Sequence, residues 1–259
     1  MDTLNNYSDL QKEKQNQILK LVTKSFFKEL SSYGVDKSDI VKVSVNLLDH
    51  VTHQHENDDE EDSLYNKIFD ISDVENTWTR NASLTLANVT IKPLESIQVA
   101  KICEWLKEAD IKQTFISYFP KDQEELTKNI IGRMDKQYFA IFNDKDAFVG
   151  IIGAENINED FKKLEMKKFI GAKDSQGKGT GKAATFLFLY YVFQILGFNK
   201  VYIHSLETNI KNINLNSKFG FELEGILYDE ANVGGVFKDV LRMGLLRKDW
   251  QRIFALEEK

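Results

Sequence analysis

Six consecutive residues, Gln176-Gly177-Lys178-Gly179-Thr180-Gly181, have the types and spacing of a phosphate-binding loop. Glycines at alternate positions let the backbone approach a ligand closely, because no side chain stands in the way. The loop lies between a strand-like run and a long apolar, helix-like run. Its N–H groups therefore join the free N–H groups of the first helical turn, where the helix dipole also favours an anion. The pattern predicts a site for a phosphorylated cofactor.

Two familiar phosphate loops do not fit this spacing. A P-loop requires Gly, four residues and then Gly-Lys-Ser/Thr, but counting from Gly171 the second glycine would fall on Gln176. A dinucleotide-binding loop requires Gly-x-Gly-x-x-Gly, whereas the glycines here are at positions 177, 179 and 181. The pattern Gln/Arg-x-x-Gly-x-Gly/Ala does fit. In this respect the loop resembles the acyl-CoA diphosphate loop of the GNAT superfamily of N-acetyltransferases.

The flanking sequence strengthens the resemblance. Residues 164–171 look like the fourth strand of that family, and residues 201–204 look like its fifth strand. Residues 209–225 are similar to its fourth helix and the Gly-Phe turn that follows. These features come in the family's order, and the resemblance covers roughly residues 85–253.

The resemblance implies a fold and a cofactor. The fold is α/β (α+β), with a mixed, mostly antiparallel sheet flanked by helices, whose fourth and fifth strands splay apart. Acetyl-CoA or another acyl-CoA would lie in the gap like an extra strand, and no metal is implied. The resemblance assigns the cofactor contacts to Phe169, Ile170, Gly171, Gln176, Gly177, Lys178, Gly179, Thr180, Gly181, Lys182, Asn209 and Asn212.

The resemblance makes Glu165, Asn216 and His204 the candidate catalytic residues. Glu165 is the candidate base, since a carboxylate on the fourth strand near the thioester recurs in the family; the alternative is a strand residue paired with a lysine. Asn216 stands where many members have a tyrosine acid, and an amide can donate a hydrogen bond but no proton. Either His204, Tyr228 or water would then protonate the CoA thiolate, or a weakly basic thiolate would leave unassisted. A lone histidine on a strand can also be structural.

Composition narrows the class of protein. The net charge of −6 and the pI near 5.4 do not indicate binding to nucleic acid or anionic lipid. The only cysteine, Cys103, excludes an internal disulfide and a cysteine-based zinc site. The apolar run 183–198 is shorter than the ~20 residues that a membrane span needs. With no signal-peptide pattern after Met1, we expect a cytoplasmic protein.

The sequence predicts two regions, a helical region at 1–80 and a GNAT domain at 85–253. The first region has helical patterns over 8–33, ended by Gly34, and from about residue 38. Such a hairpin is too small to be stable alone. Its apolar faces are therefore expected to rest on the main domain or on another copy in a homo-oligomer. The motif His50-x-x-His53-x-His55 has metal-ligand composition, but it lies in an acidic tail without preorganised geometry.

The predicted activity is direct transfer of an acyl group from acyl-CoA to a primary amine. The strands and the Gly-Phe turn look most like the branch that acylates nucleotide-linked amino sugars, protein N-termini and polyamines. The favoured acceptor is a nucleotide-linked amino sugar used for polysaccharide biosynthesis. The alternatives are a protein or ribosomal N-terminus, a polyamine held in an acidic pocket, and a non-catalytic acyl-CoA sensor. Two interpretations apply to one group of aromatic residues, which either frame a pocket for a nucleotide or sugar ring or belong to the core: Trp105, Phe115, Tyr118 and Phe119.

Overall fold

The chain divides into two compact units, Met1–Ser63 and Leu64–Lys259. The structure, a computed structural model, describes residues 19–28, 30–32, 34–36, 68–74, 83–108, 119–120, 122–206 and 209–255. In the first unit, residues 19–28 and 30–32 are helical, and Gly34 follows them with a φ of 74°. The other predicted N-terminal helical residues and the histidines at 50, 53 and 55 lie outside the described residues.

The second unit begins earlier in the chain than the predicted boundary near residue 85. Val74 is fully buried in the main core, and Ile68, Phe69 and Ile71 pack against that core. These side chains come from the short 3-10 turn Ile71–Asp73 and its flanks. The core therefore uses apolar residues that the sequence pattern had assigned to the helical region.

The second unit is built on one sheet, which has eight strands in the described part of the chain. They are β1 (Leu84–Leu86), β2 (Val89–Pro93), β3 (Gln137–Phe142), β4 (Phe148–Asn158), β5 (Lys163–Ile170), β6 (Lys200–Leu206), β7 (Glu222–Val233) and β8 (Val236–Leu246). Their spatial order is β1-β2-β3-β4-β5-β6-β8-β7. Strands β5 and β6 run parallel and the other neighbours run antiparallel. The predicted mixed, mostly antiparallel sheet is confirmed.

Helices cover both faces of this sheet. They are α1 (Ser96–Trp105), α2 (Gln123–Ile130), α3 (Thr180–Tyr190), α4 (Ile210–Ser217) and α5 (Arg247–Phe254). Since successive strand residues point to opposite faces, each face has its own core. Phe169 of β5 packs in the cluster of α1 and α2, whereas Met166 packs in the cluster of α3 and α5.

Helix α3 contains the first half of the apolar, helix-like run 183–198. Eight of its eleven residues are buried, because the sheet and neighbouring elements surround it. It continues into a π-helical turn, Tyr191–Ile195. Among the described helices, none has both the length and the apolar character needed to cross a bilayer.

Strands β5 and β6 separate halfway along their length. They pair from Lys163 with Lys200 to Glu165 with Tyr202, and no further. Beyond that point β5 stays bonded to β4 as far as Ile170, and β6 stays bonded to β8 as far as Leu206. Each strand follows its outer neighbour, and a gap opens between them. This is the predicted splay.

Candidate active site

The β5 wall of the gap presents fewer backbone groups than the sequence predicts. The Gly171 N–H donates to the Val149 carbonyl of β4 at 2.9 Å. Since alternate residues of a strand direct their backbone groups to opposite edges, Phe169 also faces β4, and Ile170 faces the gap. The Ile170 carbonyl accepts a hydrogen bond from Gln176 Nε2 at 2.8 Å, in agreement with this direction. The expected backbone contacts of Phe169 and Gly171 with pantetheine are corrected accordingly.

Gly171 has a packing role that the sequence did not indicate. A Cβ atom at this position would lie 2.0 Å from the indole ring of Trp105. Trp105 is only 4% exposed and also contacts Phe169 edge-on, with ring centroids 6.1 Å apart. Trp105 is therefore a core residue and not a wall of an acceptor pocket. Phe119 lies beside the Tyr138 ring, while residues 115 and 118 lie outside the described part.

The loop from Gln176 to Gly181 has the geometry of an anion site. Gly177 and Gly179 have φ values of 74° and 85°, which only glycine adopts without strain. A Cβ on either would point into open space. The N–H groups of residues 177–181 have no partner among the described residues. Unpaired amides at a helix start are suited to phosphate.

Two lysines lie beside these loop amides. Lys178 in the loop is exposed, and Lys182 in the first turn of α3 is half-buried. Thr180, the first residue of α3, is buried. The predicted diphosphate-binding residues of the loop therefore lie together at the start of one helix, with positive charge beside them.

Helix α4 contributes the asparagines predicted for the opposite side of the cofactor. The Asn209 carbonyl accepts the N–H groups of Asn212 and Ile213, and its side chain makes no capping bond. Asn212 Nδ2 donates to Ser205 Oγ of β6 at 3.4 Å. Asn216 is 1% exposed, and neither polar atom of its side chain has a partner among the described residues. A buried, unpaired amide is costly unless a ligand pairs with it.

Glu165 and His204 meet where β5 and β6 begin to separate. Glu165 Oε1 lies 2.8 Å from His204 Nδ1 and 2.6 Å from Lys167 Nζ. The other oxygen of Glu165 accepts from Asn156 Nδ2 at 2.8 Å. Three side chains therefore hold a carboxylate that is only 3% exposed. The pairing with a lysine, which was the structural alternative for Glu165, is present.

These partners decide the ionisation of Glu165. Burial, the largest single influence, raises its pKa, but the His204 and Lys167 interactions together outweigh burial and lower the pKa to about 2. Such a carboxylate is a weak base. It is well suited to accept a hydrogen from His204 Nδ1, which leaves Nε2 as the basic nitrogen. Nε2 is buried and has no partner among the described residues.

Comparisons with known proteins agree with this geometry. Residues 88–222 match the family described as "Acetyltransferase (GNAT) domain". The chain belongs to the GNAT acetyltransferase family. It is therefore a CoA-dependent N-acyltransferase, as the loop and the splayed strands predict.

Individual relatives share this domain. The chain is 30% identical over 127 residues to the spermidine N(1)-acetyltransferase of Vibrio cholerae serotype O1, which covers 49% of this chain and 73% of that protein. It is 27% identical over 174 residues to the putative ribosomal N-acetyltransferase YdaF of Bacillus subtilis, which covers 63% and 94%. A crystal structure of the Vibrio cholerae spermidine N-acetyltransferase with CoA and spermine aligns with a TM-score of 0.59 and 27% identity, covering 63% and 98%.

The GNAT site contains polar residues that the sequence did not single out. Lys167 and Asn156 hold Glu165, and Tyr202 lies beside His204 with ring centroids 5.6 Å apart. The Arg242 guanidinium lies 4.1 Å from the centre of the Tyr202 ring. The sequence could have indicated Lys167, because residues two apart on a strand lie on the same face. It could not have indicated Asn156 on β4 or Arg242 on β8, because their contacts depend on how the strands pair.

A second buried carboxylate lies next to this cluster. Glu155 is opposite Glu165 in the register of β4 with β5. It accepts from Lys136 Nζ at 2.7 Å and from the Tyr138 hydroxyl at 2.9 Å. By contrast, Tyr228, the other candidate acid, lies on β7 with 66% of its surface exposed. In the described part of the chain no hydrogen bond or ion pair joins Tyr228 to Glu165 or His204, whereas His204 Nδ1 lies 2.8 Å from Glu165 Oε1, so the geometry favours His204 over Tyr228.

Proposed function

We propose that this GNAT protein transfers the acetyl group of acetyl-CoA to a primary amine of a polyamine. The observation that carries the proposal is the similarity in sequence to the Vibrio cholerae enzyme named for spermidine N(1)-acetylation. The chain is also similar in fold to the crystal structure of a spermidine N-acetyltransferase from Vibrio cholerae in complex with CoA and spermine. The net charge of −6 also favours a cationic acceptor over an anionic nucleotide-linked sugar. The amino sugar that the sequence favoured receives no such support, so the polyamine alternative replaces it.

In the proposed reaction His204 acts first as the general base and then as the general acid. The amine must be neutral to attack the thioester carbonyl, and His204 Nε2 accepts the proton that the nitrogen loses. Glu165 fixes the ring through Nδ1 and stabilises the imidazolium that forms. The C–S bond then breaks, and the proton on Nε2 passes to the CoA thiolate. The amide of Asn216 would donate a hydrogen bond to the sulfur but no proton.

The cofactor would run along the gap between β5 and β6. The Ile170 N–H faces that gap and is a candidate donor to the thioester carbonyl. The loop amides of residues 177–181 would bind the diphosphate, and Asn209 and Asn212 would contact the cofactor from α4. Phe169 and Gly171 would make no direct backbone contact with the cofactor. Their backbone groups face β4, and they would hold β5 in place.

The test is release of free CoA thiol from acetyl-CoA with a panel of amines. The panel contains spermidine, spermine, a nucleotide-linked amino sugar, a short peptide with a free N-terminus and a reaction without amine. We expect spermidine or spermine to give the highest kcat/KM. Faster acetylation of the amino sugar or of the peptide would overturn the polyamine proposal. Tight binding of CoA with no turnover on any amine would favour the acyl-CoA sensor.

A further inference from the structure

Lys168 lies on β5 and points to the face opposite Glu165. Its ammonium donates to Thr185 Oγ1 of α3 at 2.6 Å. The Thr185 hydroxyl in turn donates to the Gly181 carbonyl at 2.7 Å. Two hydrogen bonds therefore join Lys168 to the first turn of α3, the turn that carries the predicted diphosphate loop.

The ammonium of Lys168 has no carboxylate partner among the described residues. Its cross-strand neighbour on β4 is the buried, apolar Ile152. On residues 173–182 and α3, the charged groups are Lys173, Asp174 and Lys178, which are exposed, and Lys182, which is half-buried. Lys173 Nζ lies 3.1 Å from Glu108 Oε2. Glu165, Lys167 and His204 are occupied with one another on the other face of the sheet. Burial lowers the pKa of Lys168 to about 7.

A cation in this position is unfavourable until an anion arrives. The positive end of the α3 dipole lies close to it and adds to the cost of its charge. The backbone of Lys168 has the same direction as that of Ile170, so the residue lies on the gap wall. The CoA diphosphate, held by the adjacent loop, is the anion that this arrangement lacks.

We propose that Lys168 is the counter-charge of the CoA diphosphate and takes up a proton as CoA binds. The proposal rests on CoA binding at the GNAT loop and does not depend on which amine is acetylated. In the free protein Lys168 is largely neutral above pH 7. The bound diphosphate favours the charged form, so binding above pH 7 requires uptake of a proton. The affinity for CoA therefore falls as the pH rises above 7.

The experiment is calorimetric titration of CoA into the full chain at pH 6 and pH 8.5. Two buffers of different ionisation enthalpy at each pH give the number of protons exchanged. Wild type is compared with Lys168→Met and Lys168→Arg, and with Lys163→Met as a control lysine on the same strand. Pantetheine, which lacks the diphosphate, serves as a second probe.

At pH 8.5 we expect wild type and Lys163→Met to take up close to one proton more than Lys168→Met does. At pH 6 this difference should vanish, and Lys168→Met should bind CoA about 10- to 100-fold more weakly than wild type, as expected for a lost charged hydrogen bond. Lys168→Arg should show no uptake, because arginine stays charged. Pantetheine should show no uptake with any variant.

Two results would overturn the proposal. One is an equal proton count for wild type and Lys168→Met at pH 8.5. The other is a proton uptake with pantetheine as large as that with CoA. Lys168→Arg provides a folded comparison if the methionine variant is insoluble, because it retains the charge and the reach to Thr185.

Discussion

Lys167 and Lys168 are consecutive residues on opposite faces of β5. Lys167 lies 2.6 Å from the Glu165 carboxylate and belongs to a cluster that includes His204 and Asn156. Within the described residues, the Lys168 ammonium donates a hydrogen bond only to the Thr185 hydroxyl, and burial lowers its pKa to about 7. Lys167 has a carboxylate as its counter-charge, whereas Lys168 has none in the part of the chain that the structure describes.

The two lysines lie on the faces of β5 that we propose for proton transfer and for cofactor binding. On the face of Glu165, the carboxylate already has its charged partners before any substrate binds, so the residues proposed for proton transfer are fixed in advance. On the face of α3, loop amides without a partner and an ammonium without a carboxylate, as far as the described residues show, leave positive potential for an anionic cofactor. We therefore expect the face of Glu165 to be preorganised and the face of α3 to be completed by its ligand.

The largest expected effect tests the preorganised face. His204→Gln should lower kcat by roughly 10²- to 10⁴-fold, the usual contribution of a general acid–base group. CoA affinity should stay unchanged, because His204 lies outside the diphosphate loop. Steady-state kinetics and CoA titration check this, with Tyr228→Phe as the control that keeps full activity. A His204→Gln enzyme within a few-fold of wild type would assign the proton transfer to another group.

The second prediction contrasts the two lysines directly. Lys167→Met should reduce the free energy of unfolding by about 3–5 kcal/mol, because it removes one partner of a buried ion pair. Lys168→Met should change it by less than about 1 kcal/mol or raise it, because a buried ammonium without a carboxylate is replaced by an apolar chain of similar shape. Urea unfolding at pH 7 measures both. Equal losses would show that the two sites are electrostatically alike.

The third prediction uses pH to separate the same faces. The pKa of Glu165 is lowered to about 2 in the folded protein. Its stabilisation of about 3 kcal/mol is thus present above pH 4.5 and is lost as the pH falls towards 2. Glu165→Gln should lack this loss.

The lysine face should respond in a different pH window. The pKa of Lys168 is lowered from 10.5 to about 7 on folding. The unfolded chain therefore binds more protons than the folded chain between these values, and stability should rise from pH 7 towards 10.5. Lys168→Met should lack this rise. Urea unfolding across both windows checks the pair, and a Lys168→Met curve parallel to wild type above pH 7 would contradict the assignment.

The smallest expected effect concerns the loop. Gly179 has a φ of 85° and is the N-cap residue of α3. Gly179→Ala should therefore cost about 1–2 kcal/mol in the bound geometry and weaken CoA binding about tenfold. Gly225→Ala is the matched control, because its Cβ would meet open space and its φ is not positive. CoA titration measures both. Equal affinity for the two variants would mean that the loop does not need its left-handed residue.

Local sequence patterns were sufficient to predict the cofactor loop and the fold. The Gln176 to Gly181 spacing specified a cofactor loop, and the order of strand, loop, helix and strand around it specified the family and the splayed sheet. These signals are readable because glycine spacing and hydrophobic periodicity act over a few residues. The predicted boundary near residue 85 differs from the observed one because burial of Val74 depends on a distant core.

Local sequence patterns could not predict the contacts within the candidate active site. Glu165 and His204 are 39 positions apart, and only the parallel register of β5 with β6 brings them together. In that register His204 and Lys167 lower the pKa of Glu165. Glu165 is therefore the hydrogen-bond partner of the histidine, whereas the sequence predicted that it would be the base. The sequence alone determined the loop, the cofactor class and the order of elements, since those depend on local spacing. Only the tertiary structure decided which face each lysine occupies and which backbone amides face the gap, because pairing register and burial are properties of distant segments in contact.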